Sequence, residues 1–333
     1  MYIIIESIMK FLILKTTNPY VNLAIEEYLF LNENEDVFML WQNEPTVVIG
    51  KNQSAYAEIN MDFIRKNNIH IARRITGGGA VYHDLGNVNY SFITDKTSKD
   101  LDFKIFTSPI INALTSLGVK TELSGRNDLL IDGRKFSGNA QSIKNDRVLH
   151  HGTLLFNSEL DALSNALKVN PEKIKSKAIK SVHSRVTNLK PFLPEEYTVE
   201  DFLKDLSEYI ISVFNPEIIE PPTNKEIDFI FKRNASVEWI FPKGNYLSKY
   251  AVQKTKKYPF GLVDMFIDMS NDTLSKIKIQ GDFFGIKDIT ELEIYLENTN
   301  FNELETKLSQ IEIGEYIFGM STLLFVEQIK GIS

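Results

Sequence analysis

The 333-residue chain contains no cysteine, which excludes thiol nucleophiles, thiol redox pairs, disulfides and Cys-based zinc sites, and weakly favours a reducing compartment. Histidine is also scarce: the five present are not spaced as paired zinc ligands on a helix. No run approaches the roughly 20 apolar residues that a membrane helix needs. The apolar opening Met1–Ile5 is interrupted by Glu6 and Lys10, with no small-residue cleavage site after it, so no secretory signal is expected. Positive charge is in deficit, 37 Lys and Arg against 44 Asp and Glu, and the net charge of -7 speaks against a general nucleic-acid surface. Internal repeats and low-complexity tracts are missing as well. What remains is a cytoplasmic globular protein, bound to neither membrane nor nucleic acid. At 43% hydrophobic and 24% charged it is long enough for one large domain and a smaller one. Met9-Lys10-Phe11-Leu12 reads as a second plausible start, which would make residues 1–8 an extension.

Periodicity predicts a helix over Asn22–Asn32, with Asn22 as N-cap and Leu23, Ala24, Tyr28 and Leu31 on one face. Strands are expected at Val37–Trp41, Thr46–Ile49 and Ile69–Arg73. Val88, Tyr90 and Phe92 alternate with Asn87, Asn89 and Ser91, as in a half-buried strand. Phe106, Ile110, Leu114 and Leu117 predict a helix stopped by Gly118. Three more strands, Asp128–Ile131, Arg134–Ser142 and Val148–Phe156, follow, the first two joined by the hairpin signal Asp132-Gly133. Tight turns between neighbours imply mostly antiparallel pairing and rule out a doubly wound sheet. Thr198 and Thr223 open two further helices, the second through the capping box Thr223-Asn224-Lys225-Glu226. The polar, Lys-rich stretch 243–257 is the linker candidate, giving domains 1–245 and 258–333 around a linker at 246–257. Beyond it, a hairpin turning at Ser270-Asn271-Asp272 and helices near Ile289–Asn298 and Phe301–Leu308 suggest a small α+β unit.

Four constellations could carry chemistry. In Arg73-Arg74-Ile75-Thr76-Gly77-Gly78-Gly79-Ala80-Val81-Tyr82-His83-Asp84, three glycines either relax a loop or let backbone N–H groups approach a ligand. The two arginines supply positive charge for phosphate or carboxylate. This is neither a Walker loop nor a dinucleotide fingerprint, and read alone it is equally a flexible loop with solvated arginines. In the hairpin Asn127-Asp128 to Arg134-Lys135, an acid able to hold a divalent cation and a fixed ammonium could face one ligand, or both could be solvated. The small residues Ser137, Gly138 and Ala140 leave room above that lysine. His150-His151-Gly152-Thr153 reads by default as satisfied strand histidines. The basic run Lys173, Lys175, Lys177, Lys180, His183 and Arg185 is a solvated face or a loop able to close over an anion.

Taken in order, these segments resemble the lipoate-protein ligase family. The matching stretches are Asn22–Glu27, Arg73–Asp84, Gly125–Leu129, Arg134–Ala140, His151–Leu154, Ser181–Leu189 and Gly281–Gly285. The resemblance covers nearly the whole chain from Met9. It implies an α+β fold of the biotin/lipoate ligase type, related to class II aminoacyl-tRNA synthetase catalytic domains, with a small C-terminal accessory domain. It also implies a two-step reaction: lipoate and ATP give lipoyl-AMP and pyrophosphate, then an acceptor lysine takes the acyl group. Lys135 is implied as the catalytic lysine and an ATP contact. Arg74, Gly79, Ala80, Val81 and Tyr82 are implied as further ATP contacts. Arg74, Gly77, Gly78, His83, Asn127, Lys135, His151, Gly152 and Thr153 are implied around lipoate or lipoyl-AMP, and Asp128 as a Mg²⁺ ligand. The expected partner is a lipoyl-domain acceptor, the glycine-cleavage H protein or a 2-oxoacid dehydrogenase acyltransferase subunit, and the expected state is a monomer. The family often has arginine where this chain has His183, which makes any phosphate or acceptor contact there weaker or pH-dependent.

Among relatives of that fold, an ATP-independent acyltransferase working through an acyl-thioester on cysteine is excluded by the absence of cysteine. A biotin ligase is disfavoured because residues 73–79 stand where its Gly-Arg-Gly-type loop is expected. A lipoate-binding module without catalysis remains as the non-enzymatic alternative, against which Arg74, Asp128 and Lys135 together speak.

Overall fold

A computed structural model of the chain describes residues 9–96, 101–125, 127–168, 185–242 and 250–331. The proposed extension 1–8, Lys173, Lys175, Lys177, Lys180 and His183 of the basic run, and residues 243–249 lie outside the described residues.

The chain begins with β1 (Lys10–Ile13), α1 (Pro19–Asn32), β2 (Val37–Trp41), β3 (Thr46–Ile49), α2 (Ala55–Glu58) and α3 (Met61–Lys66). Next come β4 (His70–Arg73), β5 (Val81–His83), β6 (Asn87–Asp95), α4 (Lys104–Ser116), β7 (Glu122–Ser124), β8 (Asp128–Ile131), β9 (Arg134–Lys144) and β10 (Arg147–Leu155). The larger unit ends with α5 (Leu160–Ala166), α6 (Val199–Phe214), β11 (Glu217–Ile218), α7 (Asn224–Asn234) and α8 (Val237–Ile240). Among the described residues, eight strands form one sheet in the order β11-β1-β2-β6-β10-β9-β8-β7, and β4-β3-β5 form a second. β1 runs parallel to β2 and β11, and β3 to β4, while the remaining pairs of these two sheets are antiparallel. Asp132 and Gly133, at φ 50° and 71°, make the tight turn between β8 and β9 that their sequence predicts.

The N-terminus of α1 lies earlier than the periodicity suggested. Asn18 is the N-cap, its side chain accepting from the N–H groups of Tyr20 and Val21, and Pro19 occupies the first turn, where no donor is needed. Asn22 is buried within the helix and donates to the carbonyls of Thr16 and Gln42. The buried face is carried by Leu23, Ala24, Ile25, Leu29 and Phe30, whereas Leu31 is exposed. The capping box at Thr223 forms as expected, and the helix opened by Thr198 carries a second one, closed by Asp201.

β6 departs from the half-buried expectation: every residue from Asn87 to Thr94 is buried. Alternation identifies a polar face but cannot say whether that face is wet. Here β6 lies centrally between β2 and β10. Val88, Tyr90 and Phe92 join Phe38, Phe136 and Phe202 in the core on one side. The opposite face packs towards α1, where Ser91 donates to Glu26.

The smaller unit is a four-stranded sheet, β12 (Val252–Tyr258), β13 (Gly261–Ser270), β14 (Thr273–Gly281) and β15 (Thr299–Asn300), with α9 (Ile289–Leu296), α10 (Leu304–Leu308) and α11 (Thr322–Lys330). It has its own core around Val263, Met265, Leu274, Ile279, Leu292 and Phe325. The expected linker is corrected by β12, since residues 252–257 pair with β13 as an edge strand. Charged, Lys-rich composition protects an exposed edge as readily as it marks a linker. The two units touch where Gly78 N–H donates to Phe283 O (3.2 Å) and Gly281 N–H to Asn52 O (2.9 Å), beside a Lys51–Asp288 ion pair at 2.7 Å.

Replacing Asn18 by Ala leaves two helix-end donors without their side-chain acceptor. The expected loss is about 1 kcal/mol, read in calorimetry as a midpoint about 2–4 °C lower for the larger unit. An unchanged midpoint would show that water satisfies this helix end equally well.

Candidate active site

A row of paired residues crosses the face of the large sheet that α1 covers. Trp41 on β2 opposes Asn89 on β6, which opposes Thr153 on β10. Thr153 Oγ1 accepts from Gly138 N at 3.1 Å, and Gly138 on β9 opposes Asp128 on β8. One step along the strands, Met39, Ser91, His151 and Ala140 form a second row on the same face. Above these rows lies a cavity, lined at one end by Leu23, Trp41 and His83 and at the other by Asn127, Lys135 and Gly138. Phe284, from the smaller unit, also lines it.

Lys135 sits at the mouth. A Cβ on Gly138 would lie 2.9 Å from Lys135 Nζ, so the ammonium lies directly over this glycine of β9. Nζ pairs with Asp128 at 2.7 Å, and both side chains are more than a third exposed. Beyond Lys135 the cavity gives way to a more open cleft flanked by Asp128, Gly125 and Arg185. The segment around Val186 bridges to Lys135, with Thr187 N–H donating to the Lys135 carbonyl at 2.9 Å. Among the described residues no three His, Asp or Glu side chains cluster as a metal site.

The glycine loop is shaped by its arginines, which are buried and hydrogen-bonded and so are not the solvated pair of a flexible loop. Arg73 donates to the carbonyls of Gly50, Lys51, Gln53, Trp239 and Ile240, all at 2.8–2.9 Å. Arg74 donates to Val48 O, Gly77 O and Gly79 O and to Thr76 Oγ1. Burial lowers both to about 10, so both remain cationic at neutral pH. Arg74 lines the cavity with its guanidinium already engaged. Gly77 and Gly78 pass so close to Phe283 and Phe284 that a Cβ on either would meet them at 2.4 and 2.9 Å, and Gly78 takes φ 88°. Gly79 has open space beside it, and Ala80 and Val81 line the cavity with it. The Tyr82 side chain packs into the core with Val47, Ile49 and Ile64, since alternation along β5 turns it away from its neighbours Val81 and His83.

His151 belongs to a buried relay. Arg74 Nε donates to Thr76 Oγ1, which directs the threonine proton to His151 Nε2 at 2.8 Å. His151 Nδ1 then donates to Glu26 (2.9 Å), which also accepts from Ser91 Oγ (2.5 Å), and Ser91 receives Trp41 Nε1 (2.9 Å). The loop, the sheet and α1 are joined through this chain. Gly152 lies against Tyr90 and Asn139, which hydrogen-bond one another. Burial, with Arg74 and His151 adding to it, pushes His83 down to about 3, so its imidazole is neutral. His150 is pushed well down by burial. Asn127 is tied to Asn139 O at 2.7 Å.

Sequence reasoning missed Glu26, Trp41, Asn43, Asn89 and Phe284 as site residues. The polar positions of β6 were a usable signal, once that face was known to be roofed. For Phe284 the one signal was the matching stretch Gly281–Gly285, since its place in the cavity depends on docking of the smaller unit.

The model of the lipoyl protein ligase A/B catalytic domain matches residues 18–211, and that of the bacterial lipoate protein ligase C-terminus matches residues 248–329. Lipoate-protein ligase LplJ of Bacillus subtilis (strain 168) is 42% identical over 283 residues, covering 83% of this chain and 85% of the relative. P. falciparum LipL1, solved in complex with lipoate, shares the fold at a TM-score of 0.76 and 24% identity, over 97% of this chain and 98% of that one. A bipartite lipoate protein ligase from Thermoplasma acidophilum, described with its E2 lipoyl domain, aligns at 0.60 and 28% identity over 72% of this chain and 99% of that one. A lipoate-protein ligase A bound with ATP aligns at 0.58 and 25% identity over 71% of this chain and 98% of that one.

Two outcomes follow from this geometry. A methyl at Gly152 would lie 2.2 Å from Asn139 Oδ1 and 2.6 Å from Tyr90; Gly152→Ala should therefore cost about 1–3 kcal/mol in urea unfolding, and an equal midpoint would show that β10 shifts freely. Because the folded pKa of His83 lies below its unfolded value, the unfolded chain binds the extra proton between pH 6.5 and about 3. Stability then falls as pH falls through that window. His83→Gln should make the slope shallower by close to one proton, and an unaltered slope would refute the neutral assignment.

Proposed function

The chain belongs to the lipoyl protein ligase family and is a lipoate-protein ligase, and from that premise we propose that its chemistry runs through Lys135 at the boundary between cavity and open cleft. The observation that carries this reading is the ammonium seated over Gly138 at that boundary. Lipoate lies in the cavity with its carboxylate at Lys135, and ATP presents its α-phosphate from the cleft. A carboxylate oxygen attacks the α-phosphorus, the bond to the pyrophosphate oxygen breaks, and lipoyl-AMP forms. Two anions must meet for that bond to form, and a preorganised ammonium between them lowers the barrier. In the second step the amine of the acceptor lysine attacks the acyl carbonyl and AMP leaves, with the same ammonium stabilising charge on the carbonyl oxygen.

Around that centre, the backbone of Gly79, Ala80, Val81 and Tyr82 offers polar groups to the nucleotide. Arg74 contributes by holding that loop. Gly77 and Gly78 let the loop approach Phe283 and Phe284 above the acyl chain. His83, His151, Gly152 and Thr153 surround the acyl chain along the sheet rows, and Asn127 stands near the adenylate. Asp128 fits a Mg²⁺ role, because Mg²⁺ keeps most of its waters and commonly takes one or two carboxylates together with substrate phosphates. When bound, Mg²⁺ supplies charge neutralisation on those phosphates. The same reading places the enzyme in the cytoplasm as a monomer, with a lipoyl-domain acceptor of the H-protein or dehydrogenase type. It is supported by the cysteine-free chain, the lack of a membrane-length apolar helix among the described residues, and a structural neighbour described with its lipoyl domain.

Lipoate-dependent ATP–pyrophosphate exchange tests this. The wild type is expected to be active and Lys135→Ala to lose about 10²–10³ in rate. A fully active Lys135→Ala would remove Lys135 from the chemistry, and a wild type without lipoate-dependent exchange would remove the ligase reading itself.

A further inference from the structure

The end of the cavity away from Lys135 holds a buried donor that the rest of the protein leaves unengaged. Asn22 Nδ2 is oriented by the carbonyls of Thr16 (3.1 Å) and Gln42 (2.8 Å) and also faces Asn43 Oδ1 at 2.9 Å. Asn43 therefore presents its own Nδ2 to His83 Nδ1, at 3.0 Å. Nδ1 must accept, so the ring proton resides on Nε2. His83 is 3% exposed, and its Nε2 has no hydrogen-bond partner among the described residues. Buried donors are rarely left so, and this one belongs to a residue lining the cavity.

The distance from Lys135 identifies what would receive it. The His83 ring stands edge-on to Trp41, with centroids 5.9 Å apart, and Trp41 begins the row that passes through Asn89 and Thr153 to Gly138, beneath Lys135 Nζ. Three strand spacings separate β2 from β9, about 14 Å, and the Trp41 ring shortens that span from its end. An extended eight-carbon chain covers about 9 Å at roughly 1.2 Å per bond. With its carboxylate at Lys135, such a chain brings its far end to Trp41 and His83. There lipoate differs from octanoate, which has the same main-chain carbon count: lipoate carries two ring sulfurs, each a weak acceptor, where octanoate offers only C–H.

Resting on the lipoate reading above, we propose that His83 is a specificity-determining residue, whose Nε2–H donates to a dithiolane sulfur and so favours the sulfur-bearing acid over a plain alkyl acid of equal length. Asn43 is its positioning residue, because it keeps the proton on Nε2.

The test compares kcat/KM for lipoate and octanoate in pyrophosphate exchange for wild type, His83→Phe and His83→Gln. The lipoate-to-octanoate ratio should fall about five- to tenfold in His83→Phe and be partly restored in His83→Gln, whose amide again offers N–H. A ratio within about twofold of wild type in His83→Phe overturns the proposal. A wild type that exchanges pyrophosphate with neither acid overturns instead the reading on which it rests. Should His83→Phe fail to fold, ¹⁵N imidazole spectra of the wild type decide: a protonated Nε2 whose resonance moves with lipoate and not with octanoate is expected. A proton on Nδ1, or the same response to both acids, overturns it.

Discussion

Two buried guanidinium groups hold the corner on which the whole site is built. A cation removed from water must be surrounded by acceptors, and Arg73 and Arg74 obtain theirs from backbone carbonyls of segments far apart in the chain. Arg73 draws together residues 50–53 and 239–240, and Arg74 gathers Val48, Gly77 and Gly79. The glycine loop is thereby held in shape before any ligand arrives. Its carbonyls turn towards Arg74, and Gly79 is left with open space beside it. Through Thr76, the same arginine reaches His151 and Glu26 and so ties the loop to the central sheet and to α1.

From that corner the rest of the site follows. The polar face of β6, closed over by α1, becomes the floor of a cavity instead of a wetted surface. Phe283 and Phe284 of the smaller unit meet the loop where only glycine fits, so the second unit completes the cavity that the first one opens. At the far side of the floor Lys135 lies over the small residue Gly138, facing the cavity on one side and a more open cleft on the other. An apolar tail and a charged head can thus be held apart, with one ammonium at the point where they join.

Much of this was legible before folding. Asp132-Gly133, the helix start at Thr198 and the capping box at Thr223 are local signals, each formed by hydrogen bonds or backbone angles within a few residues, and each appears where it was expected. The ordered motifs identified the family. Other readings failed for a shared reason. Asn22 looked like a cap although Asn18, beside Pro19, is the better acceptor. Residues 252–257 looked like a linker although they form a protected edge. In each case residue type was compatible with two environments.

The sequence by itself determined the chemical inventory: no thiol, one lysine in a hairpin above small residues, three consecutive glycines, and an order of motifs belonging to one ligase family. Its helices, turns and strands were also largely within reach, because they depend on neighbours along the chain. Tertiary structure decided which charges are available and which are engaged. Arg73 and Arg74 read equally as anion-binding or as solvated charges, and the fold buries both among backbone carbonyls of other segments. The protonated nitrogen of His83 is set by a chain through Asn43 and Asn22 to two backbone carbonyls. Burial and hydrogen-bond direction are properties of three-dimensional neighbours, and those neighbours exist only once the chain has folded.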